Sequence, residues 1–403
     1  MSVTVDLIRD SSFTAKMDKQ NALLEVLAAQ SLETLMSDWT GLEQLASSGL
    51  FGDAYDIGTQ FTDEWQDKAN SQKYSYPLQL NHIGSVELED GEMLENRPFL
   101  QAHFAHPFGV QFSHQRAFLR CPSGLAAGTY YFTIESAWGT NVQAGDVVCF
   151  TTTIAVPAGG RISGCYGAPD QAKANWRIYT HSADGKTVLE TITPTFTASG
   201  TDLGTMKYAV RNGDLNSCQE MAYGWNRWKT SALRQYLNSA AGIGAWWTAQ
   251  DDWDIAPTEL TTKHGFLSGW DESFVDALKA VKVVTYPNTV QDDTGGNTPD
   301  ITYDKVFLPS LEQMYINPQK AGEGEFHEYW KKKSGRTTVM DQWQTYPQII
   351  TYAVENHASA QSVRLRSAHR GNAYNTWHVN SSGYVSYYGY ASSSARFAPL
   401  VVL

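Results

Sequence analysis

The sequence is poor in charged residues, and the charge that it carries is mostly negative. Charged residues are 18% of the 403 residues, below the roughly 25% usual in globular proteins, so much of the polar surface must be uncharged. The net charge is −12 and no basic stripe occurs. Because binding to nucleic acid needs Lys and Arg to neutralise phosphates, the composition argues against a nucleic-acid partner.

Cysteine and long apolar runs are also scarce. Cys121, Cys149, Cys165 and Cys218 lack the C-x-x-C spacing of a zinc site and are too few for a disulfide-dense scaffold. Residues 1–18 lack the apolar core of a signal peptide, and no run approaches the ~20 apolar residues of a membrane span. We therefore expect a protein made in the cytoplasm, with free or buried thiols and no membrane insertion.

Three regions differ in their hydrophobic pattern. Residues 1–73 are expected to be an N-terminal helical or attachment segment, residues 74–203 a β-sandwich-like domain and residues 204–403 a ligand-binding domain. Leucines at three- and four-residue spacing predict helices over 12–49, with a break near 38–41. These helices either pack on their own chain or form an oligomer seam.

In the middle region, hydrophobic and polar residues alternate with a period of two. Strands are predicted at 128–134, 146–154 and 176–180, with Gly and Pro turns between them. Short strands in this pattern favour a β-sandwich. The spacing of the histidines selects no metal, so packed or exposed rings are expected at His82, His103, His106 and His114.

The third region begins with a dense group of tryptophans and tyrosines. Such rings indicate a core held by aromatic packing. Helices are predicted at 231–237 and 272–280, followed by a strand at 281–285.

No motif for a nucleophile elbow, a phosphate loop or a zinc-protease helix occurs. The acidic residues Asp292, Asp293, Asp300 and Asp304 could collect a hard cation, although a solvated turn fits their spacing better. Titratable groups without an assignable partner are Glu323, Glu325, His327 and Glu328. We therefore expect a protein that is not an enzyme, with no cofactor, metal site or catalytic residue.

Residues 364–403 have the most informative composition, because they contain no Lys, Asp or Glu. Tyr, Ser, Gly and Asn dominate, as in antibody paratopes, where Tyr offers rigid contact area and the small polar residues offer adaptable hydrogen bonds. An ordinary solvated β-face is the alternative, but such faces normally carry Lys and Glu.

A hairpin register follows from the same residues. Pairing Asn380 with Tyr384 leaves a three-residue loop, 381–383, with Gly383 where such a loop favours a left-handed conformation. Alternation then separates two faces. The core face should hold Trp377, Val379 and Val385, and the outward face His378, Asn380, Tyr384 and Ser386.

These residues carry a resemblance. The run from Arg366 to Val385, with Ala395 to Pro399, resembles the variable region of proteins diversified by retroelements. The resemblance covers roughly 205–403. It implies a C-type lectin fold of the formylglycine-generating-enzyme type, within an α+β chain, that displays hypervariable side chains on a fixed backbone.

In that family, mutation of adenines in Asn-type codons varies fixed positions between invariant small residues. The positions that match as variable, ligand-binding residues are His369, Asn372, Tyr374, Asn375, His378, Asn380, Tyr384, Ser386, Tyr387, Tyr388, Tyr390, Ser392 and Ser393. The framework positions are Ser367, Ala368, Ala373, Trp377, Val379, Gly383, Val385, Ala391, Ala395, Arg396 and Pro399. The two lines of reasoning disagree at Tyr387: the family match makes it a variable surface position, whereas the alternation of side chains along the strand places it inward.

Residues 78–91 and 107–112 are similar to segments of tail or receptor-binding proteins of gut bacteriophages. This implies a protein of the virion tail, synthesised in the host cytoplasm and arranged, as phage fibres usually are, as a homotrimer beside other tail proteins. Its partner would be a bacterial surface protein or glycan.

Two departures limit the resemblance. The late cysteine pair that holds copper in formylglycine-generating enzymes is absent, as are the Glu-Pro-Asn or Gln-Pro-Asp motifs of calcium-dependent lectins. Two alternatives stay open: a glycan-acting virion enzyme that uses the β region or the acidic loop, and a structural virion protein whose aromatic face is an assembly contact.

Overall fold

The computed structural model is a mixed protein with about 18% helix and 35% strand in several small sheets. This confirms the α+β class. The structure describes residues 18, 19, 21, 38–114, 119–121, 123–134, 147–152, 155–158, 160–163, 172–179, 200–206, 223–250, 254–289 and 296–403.

The main helices of the described residues are short, and short 3-10 turns connect several elements. The helices are α1 (Trp39–Ser47), α2 (Phe51–Ala54), α3 (Ala232–Leu237), α4 (Glu272–Ala277) and α5 (Glu328–Ser334). The 3-10 turns are Trp228–Thr230, Thr258–Thr261, Phe266–Gly269 and Pro347–Ile349. The predicted helices at 231–237 and 272–280 are confirmed as α3 and α4, the second ending three residues early.

The described strands are numbered in chain order. The first ten are β1 (Gln60–Asp67), β2 (Gln72–Glu87), β3 (Met93–Ala102), β4 (Val110–Gln111), β5 (Leu119–Cys121), β6 (Gly128–Ile134), β7 (Val147–Thr152), β8 (Gly160–Ser163), β9 (Ala172–Tyr179) and β10 (Thr201–Met206). The others are β11 (Val281–Thr285), β12 (Asp300–Asp304), β13 (Val306–Phe307), β14 (Thr351–Tyr352), β15 (Ala360–Gln361), β16 (Val363–Ala368), β17 (Asn375–Val379), β18 (Val385–Tyr390), β19 (Ser394–Ala395) and β20 (Leu400–Val402).

Helix α1 packs on its own chain. Asp38 caps its N-terminus by accepting a hydrogen bond from the Thr40 amide at 3.2 Å, which confirms the predicted break. Trp39 meets the edge of the Phe274 ring at 4.8 Å, and the helix buries its leucines in the main core. Of the predicted helix before residue 38, all but residues 18, 19 and 21 lies outside the described residues.

The main sheet joins the two ends of the described chain in the order β1-β2-β3-β20-β13. Val401 of β20 pairs with Leu100 of β3 on one side and with Val306 of β13 on the other. All three residues of β20 are buried. An apolar strand with both faces covered is favourable only in the interior of a sheet, which is where β20 lies.

This sheet corrects the predicted domain boundary at 203/204. Strands β2 and β3 belong with β13 and β20, because the apolar β20 needs a hydrogen-bonded partner on each edge. Strands β5 to β10 form a separate six-stranded sheet, in the order β10-β6-β7-β9-β8-β5. The predicted strands at 128–134, 146–154 and 176–180 overlap β6, β7 and β9 of this sheet in the residues that are described. The expected β-sandwich over 74–203 is not shown there, because β2 and β3 lie in the main sheet with β13 and β20.

The four histidines of the middle region all make contacts within the chain. His106 is fully buried among aromatic rings, with Tyr76 Oη at 3.3 Å and Tyr236 Oη at 3.1 Å. His103 contacts Gln79 at 2.6 Å. No group of three or more metal-binding side chains gathers anywhere in the described part of the chain. No described helix has the length and apolar composition to cross a membrane.

Candidate functional site

The terminal hairpin adopts the predicted register. His378 pairs with Ser386 and Val379 pairs with Val385. The Asn380 amide donates to the Tyr384 carbonyl at 3.0 Å, and Gly383 has a φ of 82°. The Asn380 side chain also accepts a hydrogen bond from the Tyr384 amide at 2.9 Å. The loop is therefore closed from within, which keeps the two strands in register.

Gly383 is required for two separate reasons. Its φ lies in the left-handed region, and a Cβ there would lie 2.3 Å from the Tyr346 carbonyl oxygen. That contact exists because residues 343–346 pair with the hairpin, the Tyr346 amide donating to the Gly383 carbonyl at 2.9 Å.

We expect Gly383→Ala to lower the free energy of unfolding by about 2–4 kcal/mol, because backbone strain and overlap add. Gly91→Ala is the matched control, since Gly91 has a φ of 88° and nothing within 4 Å of its Cβ position. The control should lose only about 1 kcal/mol. If urea denaturation gave the same loss of unfolding free energy for both variants, the close approach of Gly383 to Tyr346 would not contribute to the destabilisation.

The predicted core face is confirmed. Trp377, Val379 and Val385 are each fully buried. They pack with Leu365 of the neighbouring strand β16 and with Met340 in a second hydrophobic cluster, separate from the main core. The hairpin is therefore anchored beneath by close-packed apolar side chains.

The opposite face is more closed than the sequence suggested. Ser386 is 1% exposed and its hydroxyl lies 3.2 Å from His378 Nε2, which is half-buried. The strand β16 adds Arg364 beside His378 in the sheet, and its guanidinium covers this side of the hairpin. The expectation that Ser386 points outward is wrong: it is buried, in the same row across the sheet as His378 and the buried Arg364 of the third strand.

Asn372 and Asn375 are also buried rather than exposed, which corrects their predicted placement on the surface. The Asn372 side chain caps a turn by accepting from the Asn375 amide at 2.9 Å. Asn226, fully buried, donates to the carbonyls of both, at 2.9 and 2.7 Å. These asparagines therefore hold the loop in shape.

A bulge resolves the conflict over Tyr387. The pairing of β17 with β18 shifts between Thr376 and His378, so that Trp377 faces two residues, Tyr387 and Tyr388. Tyr387 turns inward, as alternation predicted, and packs 3.8 Å from the His369 ring. Tyr388 is pushed out and is 68% exposed.

Aromatic rings on either side of this bulge form two groups that are joined by β18, and together we call them the tyrosine face. Its exposed members are Trp343, Tyr388 and Tyr390, and its half-buried members are Tyr223, Tyr374 and Tyr387. Tyr388 contacts Tyr387 at 5.1 Å, and Trp343, 38% exposed, lies 4.7 Å from Tyr387. On the same strand, Tyr390 is 42% exposed. The tyrosine face comprises Tyr223, Trp343, Tyr374, Tyr387, Tyr388 and Tyr390.

Two members of the tyrosine face lie outside the final segment. The ring of Tyr223 stacks on that of Tyr390 with their centroids 4.4 Å apart. The sequence predicts instead that the aromatic residues of this region form a core. Trp343 has a φ of 63°, a strained conformation for a bulky residue. Such strain commonly marks functional positions. The hydrophobic periodicity of the sequence did not identify Trp343. Its position depends on a contact with a distant strand, in which the Trp343 amide donates to the Val385 carbonyl at 2.9 Å.

The two histidines beside the tyrosine face are neutral near pH 7. Burial lowers the pKa of His369 to about 4, and burial and then the charge of Arg364 lower that of His378 to about 4. Burial raises the pKa of Tyr374 above its ordinary value. Contacts made here must therefore rest on ring packing and neutral hydrogen bonds.

The remaining predicted positions lie around this face. Asn380 and Tyr384 are half-buried at the hairpin end, and Ser393 is exposed. Ser392 is half-buried, with its amide donating to the Tyr223 carbonyl at 2.7 Å. The structure thus brings the thirteen positions onto one hairpin and its flanking loops, with the exposed ones at the tyrosine face and at the hairpin end.

Two buried arginines support the hairpin from β16. Arg364 donates to the carbonyls of Tyr390 at 2.8 Å and Ser393 at 3.0 Å. Arg366 donates to the carbonyl of Leu308 at 2.7 Å and contacts Glu323. Burial lowers the pKa of Arg364 to about 9 and that of Arg366 to about 10.

The described members of the acidic loop are held by arginines. Arg227 binds both carboxylate oxygens of Asp300, at 2.6 and 2.7 Å, and Arg234 binds Asp304 at 2.7 Å. Asp292 and Asp293 lie outside the described residues. Of the second acidic group, Glu323 and His327 are buried, whereas Glu325 and Glu328 are exposed.

Comparison with known families assigns the part of the chain that contains the hairpin. The family described as a domain of unknown function, DUF6273, matches residues 188–403. The chain belongs to this family. No curated protein and no solved structure matches the chain. All members of the tyrosine face fall in the DUF6273 segment, which also supplies β13 and β20 of the main sheet.

Proposed function

We propose that this DUF6273 protein is a receptor-binding protein that uses the tyrosine face to bind a protein or glycan on a bacterial surface. The observation that carries the proposal is the cluster of uncharged rings, three of them exposed, beside a hairpin that is held by hydrogen bonds and by a packed core. Rigid tyrosines give large contact area at low entropic cost, as in antibody paratopes. Large exposed aromatic groups are also typical of binding sites.

The same proposal includes the origin of the site. We take the region around the hairpin to be a C-type lectin-like domain whose exposed positions are varied by a diversity-generating retroelement. Supporting this, framework positions such as Trp377 and Ala391 are fully buried while Tyr388 and Ser393 face solvent. Variation at exposed positions would leave the packing beneath unchanged.

We place the protein in a bacteriophage tail, as a homotrimer beside other tail proteins. Single contacts of this kind have micromolar strength, and three linked copies could raise the overall avidity by a factor of about 10²–10⁴. The support is the sequence similarity of residues 78–91 and 107–112 to phage tail proteins, and residues 78–87 lie in β2 of the main sheet.

We expect the double variant Tyr388→Ser, Tyr390→Ser to bind bacterial cells at least ten-fold more weakly than the unaltered protein. Both rings are exposed, so their loss removes contact area without opening the core. The measurement is binding of the labelled protein to cells across a panel of gut bacteria, with thermal unfolding to verify the fold.

Tyr352→Ser is the control, because Tyr352 is 39% exposed but lies on β14, outside the tyrosine face. It should leave cell binding unchanged. Unaltered binding by a folded double variant would assign recognition to another surface. Loss of trimer or tail assembly instead would make the tyrosine face an assembly contact.

A further inference from the structure

A cavity of about 300 Å³ lies away from the tyrosine face. It is bounded by β2, β3, β11 and the loop at residues 322–327, and no member of the tyrosine face lines it. Its volume is at the lower end of the range found for small-molecule sites, roughly 300–1,000 Å³. Its walls include five buried apolar side chains: Val86, Phe99, Val281, Val283 and Phe307.

Two histidines form one side of the cavity. The rings of His82 and His327 stack at 5.1 Å with an angle of 12° between their planes. His327 is 1% exposed, and the Nδ1 atoms of both rings have no hydrogen-bond partner in the described part of the chain. Burial, and then the charges of His82 and Arg366, hold the pKa of His327 well below its ordinary value. Its ring is therefore neutral at pH 7 and can accept a proton donor's hydrogen bond.

The cations that line the cavity are already balanced. Lys282 Nζ lies 2.6 Å from Glu87 Oε2. Burial raises the pKa of the Glu323 carboxyl, and the positive charge of Arg366 lowers it in part. Lys282 is thus paired with a carboxylate, and both terminal nitrogens of Arg366 bind oxygens of the chain, from Leu308, Gln313 and Glu323, which leaves little positive charge for an anionic ligand.

Glu325 is a further carboxylate that lines the cavity. Its side chain is 83% exposed, and its carboxylate meets His82 Nε2 at 3.3 Å. In the described part of the chain no lysine or arginine of the lining pairs with this carboxylate, which lies beside the two imidazoles. An ionised amino group satisfies such a site, because it carries a positive charge and three hydrogen-bond donors.

We propose that this cavity binds a small primary amine with an apolar body. The ammonium group lies between the Glu325 carboxylate and the histidine pair, and the body packs on Phe99 and Val283. This site is separate from the tyrosine face and does not depend on the function proposed for that face.

The test compares three probes of similar shape: phenethylamine, phenethyl alcohol and 3-phenylpropionate. We expect phenethylamine to bind at least five-fold more tightly than the alcohol and the carboxylate to bind most weakly. Methionine methyl NMR reports the position, because Met93 lines the cavity and is 53% exposed. Its methyl signal, assigned with Met93→Leu, should shift on addition of the amine.

Glu325→Gln should weaken phenethylamine binding to the level of the alcohol while leaving the fold intact, since the side chain is exposed. Glu328→Gln is the matched control, because it removes an exposed carboxylate three residues away that does not line the cavity. Equal affinity for amine and alcohol, no effect of Glu325→Gln, an equal effect of Glu328→Gln, or no shift at Met93 would each overturn the proposal.

Discussion

Residues 188–403, expressed alone, are expected to fail to reach the native fold although they cover the whole match to DUF6273. The fragment keeps β13 and β20 but loses β1, β2 and β3. Val401 would then lose its pairing with Leu100, and Phe266 would lose Trp65, which is fully buried and donates from Nε1 to the Phe266 carbonyl at 3.0 Å.

The size of this loss follows from the side chains involved. Burial of one large apolar side chain contributes about 1.5–3 kcal/mol. The missing strands supply at least four that are essentially fully buried: Trp65, Leu78, Leu80 and Leu100. Their sum, about 6–12 kcal/mol by the same scale, matches the entire stability of a typical domain, about 5–15 kcal/mol.

The measurements are solubility, near-ultraviolet circular dichroism and the cooperativity of urea unfolding, with the full chain as reference. Co-expression of residues 38–114 is the control, because it restores the missing strands without a covalent link. A soluble fragment 188–403 that unfolds cooperatively by itself would show that β20 does not need β3.

The contrast between hairpin and sheet shows what the sequence could predict. The register around Gly383 was predictable because the loop and its alternating neighbours lie within a few residues of each other. The pairing of Leu100 with Val401 joins distant parts of the chain, and neither strand carries a local mark of its partner. The predicted boundary at 203/204 was wrong for that reason.

Burial within the site shows the same limit. The resemblance to retroelement-diversified proteins supplied the thirteen positions, but their exposure is decided by groups that come from elsewhere in the chain. Asn372 and Asn375 are buried because the carboxamide of Asn226, more than 140 residues earlier, binds their carbonyls. Ser386 is buried in a row of the sheet that the strand β16 extends with Arg364, a residue outside the hairpin.

Arg364→Met is expected to lower the free energy of unfolding by about 3–5 kcal/mol, the range for buried polar networks that lose one partner. The guanidinium binds the Thr376 hydroxyl at 2.5 Å and the carbonyls of Gly389, Tyr390 and Ser393 at 2.8–3.3 Å. Methionine fills a similar volume but leaves these oxygens without that donor. Urea denaturation measures the loss, and hydrogen exchange should rise at residues 387–390.

The substitution of Arg364 also has an effect that would stabilise the protein. Arg364 is 1% exposed and has no carboxylate partner in the described part of the chain, so its replacement also removes the cost of burying a charge. We expect the hydrogen bonds to outweigh that cost, because the arginine joins both strands of the hairpin to the following turn. Arg396→Met is the matched control: Arg396 pairs with Glu355 at 2.7 Å near the surface, where such pairs contribute about 0–1 kcal/mol. If Arg364→Met proved no more destabilising than Arg396→Met, the rigidity of the tyrosine face would have to come from the apolar side chains beneath it.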